Sequence, residues 1–412
     1  MTPPRAKRLT RIGWLQGLSI PSDWTESKVK YVAPGMQAGE AITAESIDPT
    51  GTYPVYGGNG LRGYTEQKTH HGTCILIGRQ GALCGNVHLV SGEYWASEHA
   101  IVARPADAVD PRWLAHLLEV MNLGQYSQTA AQPGIGTAQI NALSVPVPPA
   151  QEQSDIADYL DRETSRIDTV IEEQQRLIDM LDERRDGVIA EAVTKGVRPG
   201  ATLVESGVEW LGNIPEGWSV KPLRRCGTLM TGSTPPTDNR GNFAEEANDR
   251  PWVRPQDLSS ETRASAWLTA DGWSTMRPVP AGSVLVGCIA YSLGSVGYLS
   301  TAATTNQQIT SVVPAEEGRY LYYAMRAAKS ELWAASQMNR VPILNNQRLG
   351  SIRVPVPPVE EQRLIAAYLD EQTENIDRMR AEAQRFVELA RERRSALITA
   401  AVTGQFDVRE AA

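Results

Sequence analysis

Two sets of residues in this sequence have types and spacings that chemistry uses. His71, Cys74, Cys84 and His88 follow one another as His-x2-Cys-x9-Cys-x3-His, which are ligand types and spacings suited to zinc. The alternative is two cysteines acting as small apolar residues beside a hairpin, because Ile75-Leu76-Ile77 reads as a buried strand and a metal site needs four converging ligands. Gly58-Asn59-Gly60-Leu61-Arg62-Gly63 spells Gly-x-Gly-x-x-Gly, the pattern that cradles a pyrophosphate when a helix opens at its third glycine. The residues after Gly63 lack helical periodicity, so a flexible loop offering Tyr56, Asn59 and Arg62 is expected instead. Trp24 and Trp218 each stand three residues after a proline and read as core anchors, with an aromatic platform for sugars or bases as the alternative.

Other catalytic patterns are missing from the sequence. A nucleic-acid methyltransferase acting on adenine would carry Asn or Asp before Pro-Pro and an aromatic residue, but the Pro-Pro pairs here precede Arg5, Ala150, Thr237 and Val359. There is no Gly-x4-Gly-Lys-Ser/Thr loop for ATP phosphates and no His-Glu-x-x-His zinc helix. All five histidines lie between His70 and His116, so the second half of the chain has none.

The elements that position these residues come in duplicate. SVPVPPAQEQSDIADYLD from Ser144 recurs as RVPVPPVEEQRLIAAYLD from Arg353, a shift of 209 residues, and half of the positions in 145–194 and 354–403 are identical. Upstream, Trp14-Leu15 and Ile20 to Trp24 match Trp210-Leu211 and Ile214 to Trp218, the latter at a shift of 194. The middles therefore differ by 15 residues, the difference between those shifts, and the chain reads head, variable domain, helix, twice over. Heptad spacing predicts two long helices of about 40 residues, roughly 60 Å each. In the first, Leu160, Ile167, Leu181 and Val188 fall on one seam with Ile171 and Ile178 on the complementary one, and in the second, Leu369, Ile376, Ala383, Ala390 and Leu397 fall on one seam with Val387 and Ala401 on the other. Gly196 and Gly404 stand where C-terminal caps belong, Gly187 interrupts the first helix, and Arg185 and Arg394 break the seams at equivalent positions. The stretches between, such as TCILIGRQGALCGNVHLV and GSVLVGCIAYSLGSVGYLS, predict short strands and glycine turns, with helical patches at 113–121 and 320–335.

Composition bounds the class. A chain of 412 residues with net charge −8 is expected to form more than one domain, and no apolar run is long enough to span a bilayer. The amino-terminal residues are basic but lack an apolar signal core, so a cytoplasmic address is expected. Four scattered cysteines predict reduced thiols. Residues 1–144 and 201–353 together carry +1, whereas the two helical segments carry −9. That distribution leaves the domains free to gather Arg and Lys on one face, and it makes the helices better protein-docking than phosphate surfaces.

The twice-repeated V-P-V-P-P-x-x-E-Q-x-x-I-A-x-Y-L-D, followed each time by Glu-Arg-Arg and Ala-Val-Thr, resembles the DNA-specificity subunit of type I restriction-modification systems. YPVYGGNGLRGY and ILIGRQGALCGNV look like one type of recognition domain, and TGSTPPTDN, PWVRPQDL and TTNQQI like another. The resemblance implies an α+β chain in which two mixed α/β target-recognition domains alternate with two long helices. Those helices form an antiparallel coiled coil, and the whole is duplicated about a pseudo-two-fold. The domains implied are 1–149 and 204–358, with the helical spacers at 150–203 and 359–412. It further implies a non-catalytic reader of double-stranded DNA, each domain taking half of an asymmetric bipartite site. Two methyltransferase subunits would dock on the helices and use S-adenosylmethionine, restriction subunits would use ATP and Mg, and this chain would bind no cofactor or metal.

Arg bridges guanine and Asn or Gln bridges adenine in the major groove. The candidates for base contact are Asn59, Arg62, Arg79 and Gln80 in the first domain, and Arg254, Gln256, Gln307, Asn339 and Arg340 in the second. The rival reading is a non-enzymatic coiled-coil scaffold displaying two domains for sugars or peptides, which would be indifferent to DNA.

Overall fold

A computed structural model describes residues 5–127, 133–237, 239–337 and 341–410. The chain divides into two compact units, residues 1–175 with 385–412, and residues 176–384. Both division points fall inside the long helices Ala150–Lys195 and Val359–Val402, so each unit holds the start of one helix and the end of the other. These helices have 46 and 44 residues, somewhat more than the heptads alone require, because each begins directly after its Pro-Pro pair. Each stops at the expected glycine, where Gly196 and Gly404 take φ of 75° and 72°.

Within the first unit, Ile156, Ala157 and Leu160 share a core with Ile398, Ala401 and Val402. Within the second, Ile189, Ala192 and Val193 share one with Ile365, Ala366 and Leu369. Starts pack on ends, so the helices run antiparallel. The two arginines that interrupt the seams face aspartates on the opposite helix, Arg394 to Asp168 at 3.0 Å and Arg185 to Asp377 at 3.0 Å. The 209-residue shift carries each of these pairs onto the other. At such exposure an ion pair contributes about 1 kcal/mol or less, so the pairs act on register more than on stability.

The repeated signature is a set of local contacts. Val145 and Val354 are fully buried in short strands, Ser144–Val147 and Arg353–Val356, that pair antiparallel with Thr25–Lys28 and Ser219–Pro222. Gln153 and Gln362 donate to the carbonyls of Pro148 and Pro357, at 3.0 and 2.9 Å, tying each helix start to the strand before it. Asp161 and Asp370 receive Arg112 at 2.8 Å and Arg319 at 2.6 Å from the helices Pro111–Val120 and Gly318–Ala327. Trp14 and Trp210 donate to the carbonyls of Ser144 and Arg353, which fastens each head to the same neck.

Between head and helix the two domains share more than the sequence suggests. Each contains a four-stranded antiparallel sheet. In the first, Ala100–Ala103 lies between Gln37–Ala38 and Cys74–Gly78, with Val87–Val90 outermost. In the second, Ile309–Pro314 lies between Gly227–Thr231 and Val284–Gly287, with Val296–Tyr298 outermost. Ile101 pairs with Ile77 as Thr310 pairs with Val286, so the register also repeats at 209 residues. Strand alternation sends Ile75 and Ile77 into one core with Trp113 and Leu117, and Leu76 into another with Tyr94. Each such large apolar side chain contributes roughly 1.5–3 kcal/mol by burial. Because the sheets coincide at 209 and the heads at 194, the 15-residue difference lies wholly in 25–74 and 219–283.

The glycines separate two predictions of stability. An ideal Cβ on Gly187 meets nothing within 4 Å, so Gly187→Ala should stabilise the chain by roughly 0.5–1 kcal/mol. On Gly404 the same atom would lie 2.3 Å from Pro21 Cδ in a left-handed conformation, so Gly404→Ala should cost more than about 1 kcal/mol. Thermal unfolding midpoints should move up for the first variant and down for the second; a lowered midpoint for Gly187→Ala would show that the helix needs that glycine.

Candidate nucleic-acid interface

The Gly58 to Gly63 stretch is a β-hairpin rather than a flexible loop. Tyr53–Gly57 pairs with Gly60–Thr65 around a turn at Gly58 and Asn59, with a bulge at Val55/Tyr56. Its glycines serve that backbone: Gly63 has φ +148°, and a Cβ there would strike Ile47 and the Asp48 carbonyl. Asn86 Nδ2 donates to Asn59 Oδ1 at 2.8 Å, which holds the turn beside the loop at 79–86. The hairpin and that loop together line an open groove containing Asn59, Arg62, Gln80, Ala82, Leu83 and His99. Three of the four candidates in this domain therefore converge, and Arg79 is the exception. Its backbone N–H donates to His99, its carbonyl accepts from Ile135, and it does not line the groove. Residue pattern alone missed His99, Ala82 and Leu83, although the last two belong to the ILIGRQGALCG stretch.

In the second domain the parallel pair Trp252–Val253 and Thr304–Thr305 brings Arg254 and Gln307 to one end. Arg254 Nη2 donates to Ser265 Oγ at 2.6 Å and its backbone N–H to Asp257 at 2.8 Å, so the side chain is braced by its own turn. Gln307 Oε1 accepts from Thr234, whose hydroxyl also receives Asn306 Nδ2 at 3.2 Å. Gln256 is exposed. Asn339 and Arg340 lie outside the described residues.

The possible zinc ligands do not assemble. Cys74 belongs to the buried cluster with Leu76 and Tyr94, whereas Cys84 packs against the cluster with Ile77 and Trp113 and donates to the Arg79 carbonyl. His71 is exposed beside Glu93, and the His88 ring lies beneath the hairpin at Gly60. Among the described residues no cluster of three or more His, Cys, Asp or Glu suits a metal. The four cysteines are free thiols. Trp24 is a core anchor at 2% exposure, while Trp218 is half-buried and donates to Glu361 at 3.1 Å. Trp24 therefore offers no open stacking face. Among the described residues no helix is long and apolar enough to cross a membrane.

Two sheet-centred domains of one register, joined by antiparallel helices and presenting Asn, Arg and Gln from turns, define a duplicated recognition scaffold. Residues 21–178 and 215–385 match the family described as the type I restriction modification DNA specificity domain, and the chain belongs to that family. Among its relatives is the type I restriction enzyme EcoprrI specificity subunit of Escherichia coli. It is 41% identical over 153 residues, covering 36% of this chain and 38% of that protein, so the match spans well under half of the relative. A putative type I restriction enzyme specificity subunit of Haemophilus influenzae is 21% identical over 340 residues, covering 79% and 81%. A solved chain from work on assembly and conformational transition of the type I R-M system superposes with a TM-score of 0.70. It has 17% identity and covers 94% of this chain and 100% of that one, a likeness of fold.

The histidines give the first domain a pH dependence that the second lacks. Burial holds His70 and His88 below their ordinary value, with Glu40 opposing the effect at His70 and Glu119 opposing it at His88. The unfolded chain then binds protons more readily, so stability is intact above the ordinary histidine pKa near 6.5 and falls as pH drops below it. Hydrogen exchange at pH 5.5 against pH 7.5 should show loosening around strands 70–71 and 87–90 without matching change in 284–298. Equal loosening of both sheets would remove the histidines as its cause.

Proposed function

We propose that this chain is the non-catalytic DNA reader of a type I restriction-modification complex, each domain binding one half of an asymmetric bipartite duplex site. The observation that carries this reading is the duplication itself: one sheet and register in both domains, with unlike residues in the segments 25–74 and 219–283 that precede it. Similar scaffolds with different surfaces read different half-sites, and the chain fixes their order. Asn59, Arg62 and Gln80 supply bidentate donors and acceptors of the kind the major groove accepts. The helices hold the readers at a set spacing and dock two methyltransferase subunits, which bring S-adenosylmethionine. Restriction subunits bring ATP and Mg, and this chain contributes no catalytic group of its own. Its place of work is the cytoplasm, where the DNA is.

The test is DNA binding and methylation by the chain with its methyltransferase subunits. Affinity for one bipartite sequence should fall linearly on logarithmic axes as salt rises, since phosphate contacts release counterions. Replacing residues 25–143 with another recognition domain of the same type should alter one half of the methylated site and leave the other half and the spacer intact. Arg62→Ala should cost roughly 1–3 kcal/mol and relax one position. Salt-independent binding, methylation by the isolated chain, or a swap that changes both halves would each overturn the reading.

A further inference from the structure

The loop that lines the groove in the first domain has a counterpart in the second, residue for residue at the 209 shift. Arg79 N–H donates to the His99 carbonyl at 2.9 Å, and Cys288 N–H to that of Gln308 at 2.9 Å. Gly81 N–H donates to Pro133 at 2.9 Å, and Ala290 N–H to Pro342 at 3.0 Å. Leu293 N–H closes back on Ala290 at 3.1 Å just as Cys84 N–H closes on Gly81 at 3.0 Å. One difference stands out chemically. Gly81 takes φ +81° at no steric cost, whereas Ala290 is held at φ 52°, a left-handed conformation that residues with a Cβ rarely adopt. What this backbone presents next is Tyr291, 76% exposed, at the position where the first domain has the groove residue Ala82.

We infer that Tyr291 is a DNA-contacting residue of the second reader, its ring packing against a base of the second half-site. The inference rests on the DNA-reading proposal above and adds to it a residue and a kind of contact. A strained backbone persists only where its surroundings enforce it, and here the hydrogen bonds to Pro342 and Leu293 do so while the ring is left in solvent. The same loop is anchored by the Cys288 N–H on the Gln308 carbonyl, next to Gln307, so it is tied to the chain that carries one of the polar candidates for base contact. In a duplex the base faces are stacked on one another, and an aromatic ring contributes affinity through apolar contact with an exposed base edge such as the thymine methyl, which neither Arg nor Gln supplies as well. Val341 and Ile343 nearby are also exposed, at 44% and 39%, so docking of a protein subunit is the competing outcome.

Methylome sequencing with the wild-type chain first fixes the bipartite site. Duplexes carrying that site, the site with its second half scrambled, and the site with its first half scrambled are then bound to the complexes formed by wild type, Tyr291→Ala, Tyr291→Phe and Ala290→Gly. Tyr291→Ala should bind the intact site about tenfold more weakly than wild type, keep that deficit on the first-half scramble, and come within about twofold of wild type on the second-half scramble, where wild type has lost the same contact. Tyr291→Phe and Ala290→Gly should stay within about twofold of wild type. Thermal midpoints of Tyr291→Ala and Tyr291→Phe should match wild type, since the ring is exposed, whereas that of Ala290→Gly should not fall, since glycine takes the left-handed conformation without strain. Wild-type affinity for Tyr291→Ala would overturn the inference and leave the DNA reading intact, as would an equal loss on all three duplexes or loss of methyltransferase subunits from the purified complex. Absence of any bipartite mark from the wild type would overturn the DNA reading itself.

Discussion

Each recognition domain is closed at its neck by one short antiparallel strand pair, and the remainder of the chain depends on that closure. Thr25–Lys28 enters the first domain and Ser144–Val147 leaves it side by side; Ser219–Pro222 and Arg353–Val356 do the same for the second. The prolines in the exit strands remove ladder donors, which keeps these two-stranded ribbons from growing into larger sheets. From the neck, the glutamine of the Glu-Gln step seizes the carbonyl of the first proline of the Pro-Pro pair, and the helix begins in a fixed direction. Everything between entry and exit can lengthen or change without moving the point from which the helix departs.

Variation is distributed accordingly. From the sheet strands Cys74–Gly78 and Val284–Gly287 onward the strands, groove loop, neck and long helix share the offset of 209, with only the helices Pro111–Val120 and Gly318–Ala327 displaced from it by two residues, while the segments before those strands differ in length. Both domains lay a strand of that segment parallel on an equivalent partner, Val55–Tyr56 on Trp95–Ala96 and Trp252–Val253 on Thr304–Thr305, after which the first turns back as the hairpin that walls its groove and the second makes the braced Arg254 turn. A shared sheet backed by a clamped helix, Arg112 on Asp161 and Arg319 on Asp370, thus supports two dissimilar surfaces.

The helices, their caps and the repeat are legible in the sequence because they rest on periodicity, left-handed glycine positions and identity. The common sheet is not. Over residues 74–90 and their partners at 283–299, only Leu76/Leu285, Gly78/Gly287, Gly85/Gly294 and Val87/Val296 coincide, and what else the strands share is apolar character, which many arrangements satisfy. The hairpin at Gly58 reads as a loop because its glycines mask the strand alternation, and the zinc pattern dissolves because alternate strand residues enter different cores. A search for Asn, Arg and Gln near turns reaches Asn59, Arg62 and Gln80, which line one groove, whereas Tyr291 is not of those residue types and is singled out only once its exposure and its backbone are known.

The interhelical ion pairs have a consequence for association. Since the repeat maps Arg185–Asp377 onto Arg394–Asp168, each helix carries one arginine and one aspartate that answer the same two groups on a copy of itself. Such a seam is isologous, like the interface of a symmetric dimer. Among the described residues, the pair Arg380 with Asp182 breaks the equivalence, because Ile171 and Arg391 stand at the corresponding positions. The intramolecular pairing is then favoured by tethering, since both helices belong to one chain and the folded domain between Lys195 and Val359 keeps the second within reach of the first, whereas a second molecule must be brought in from solution.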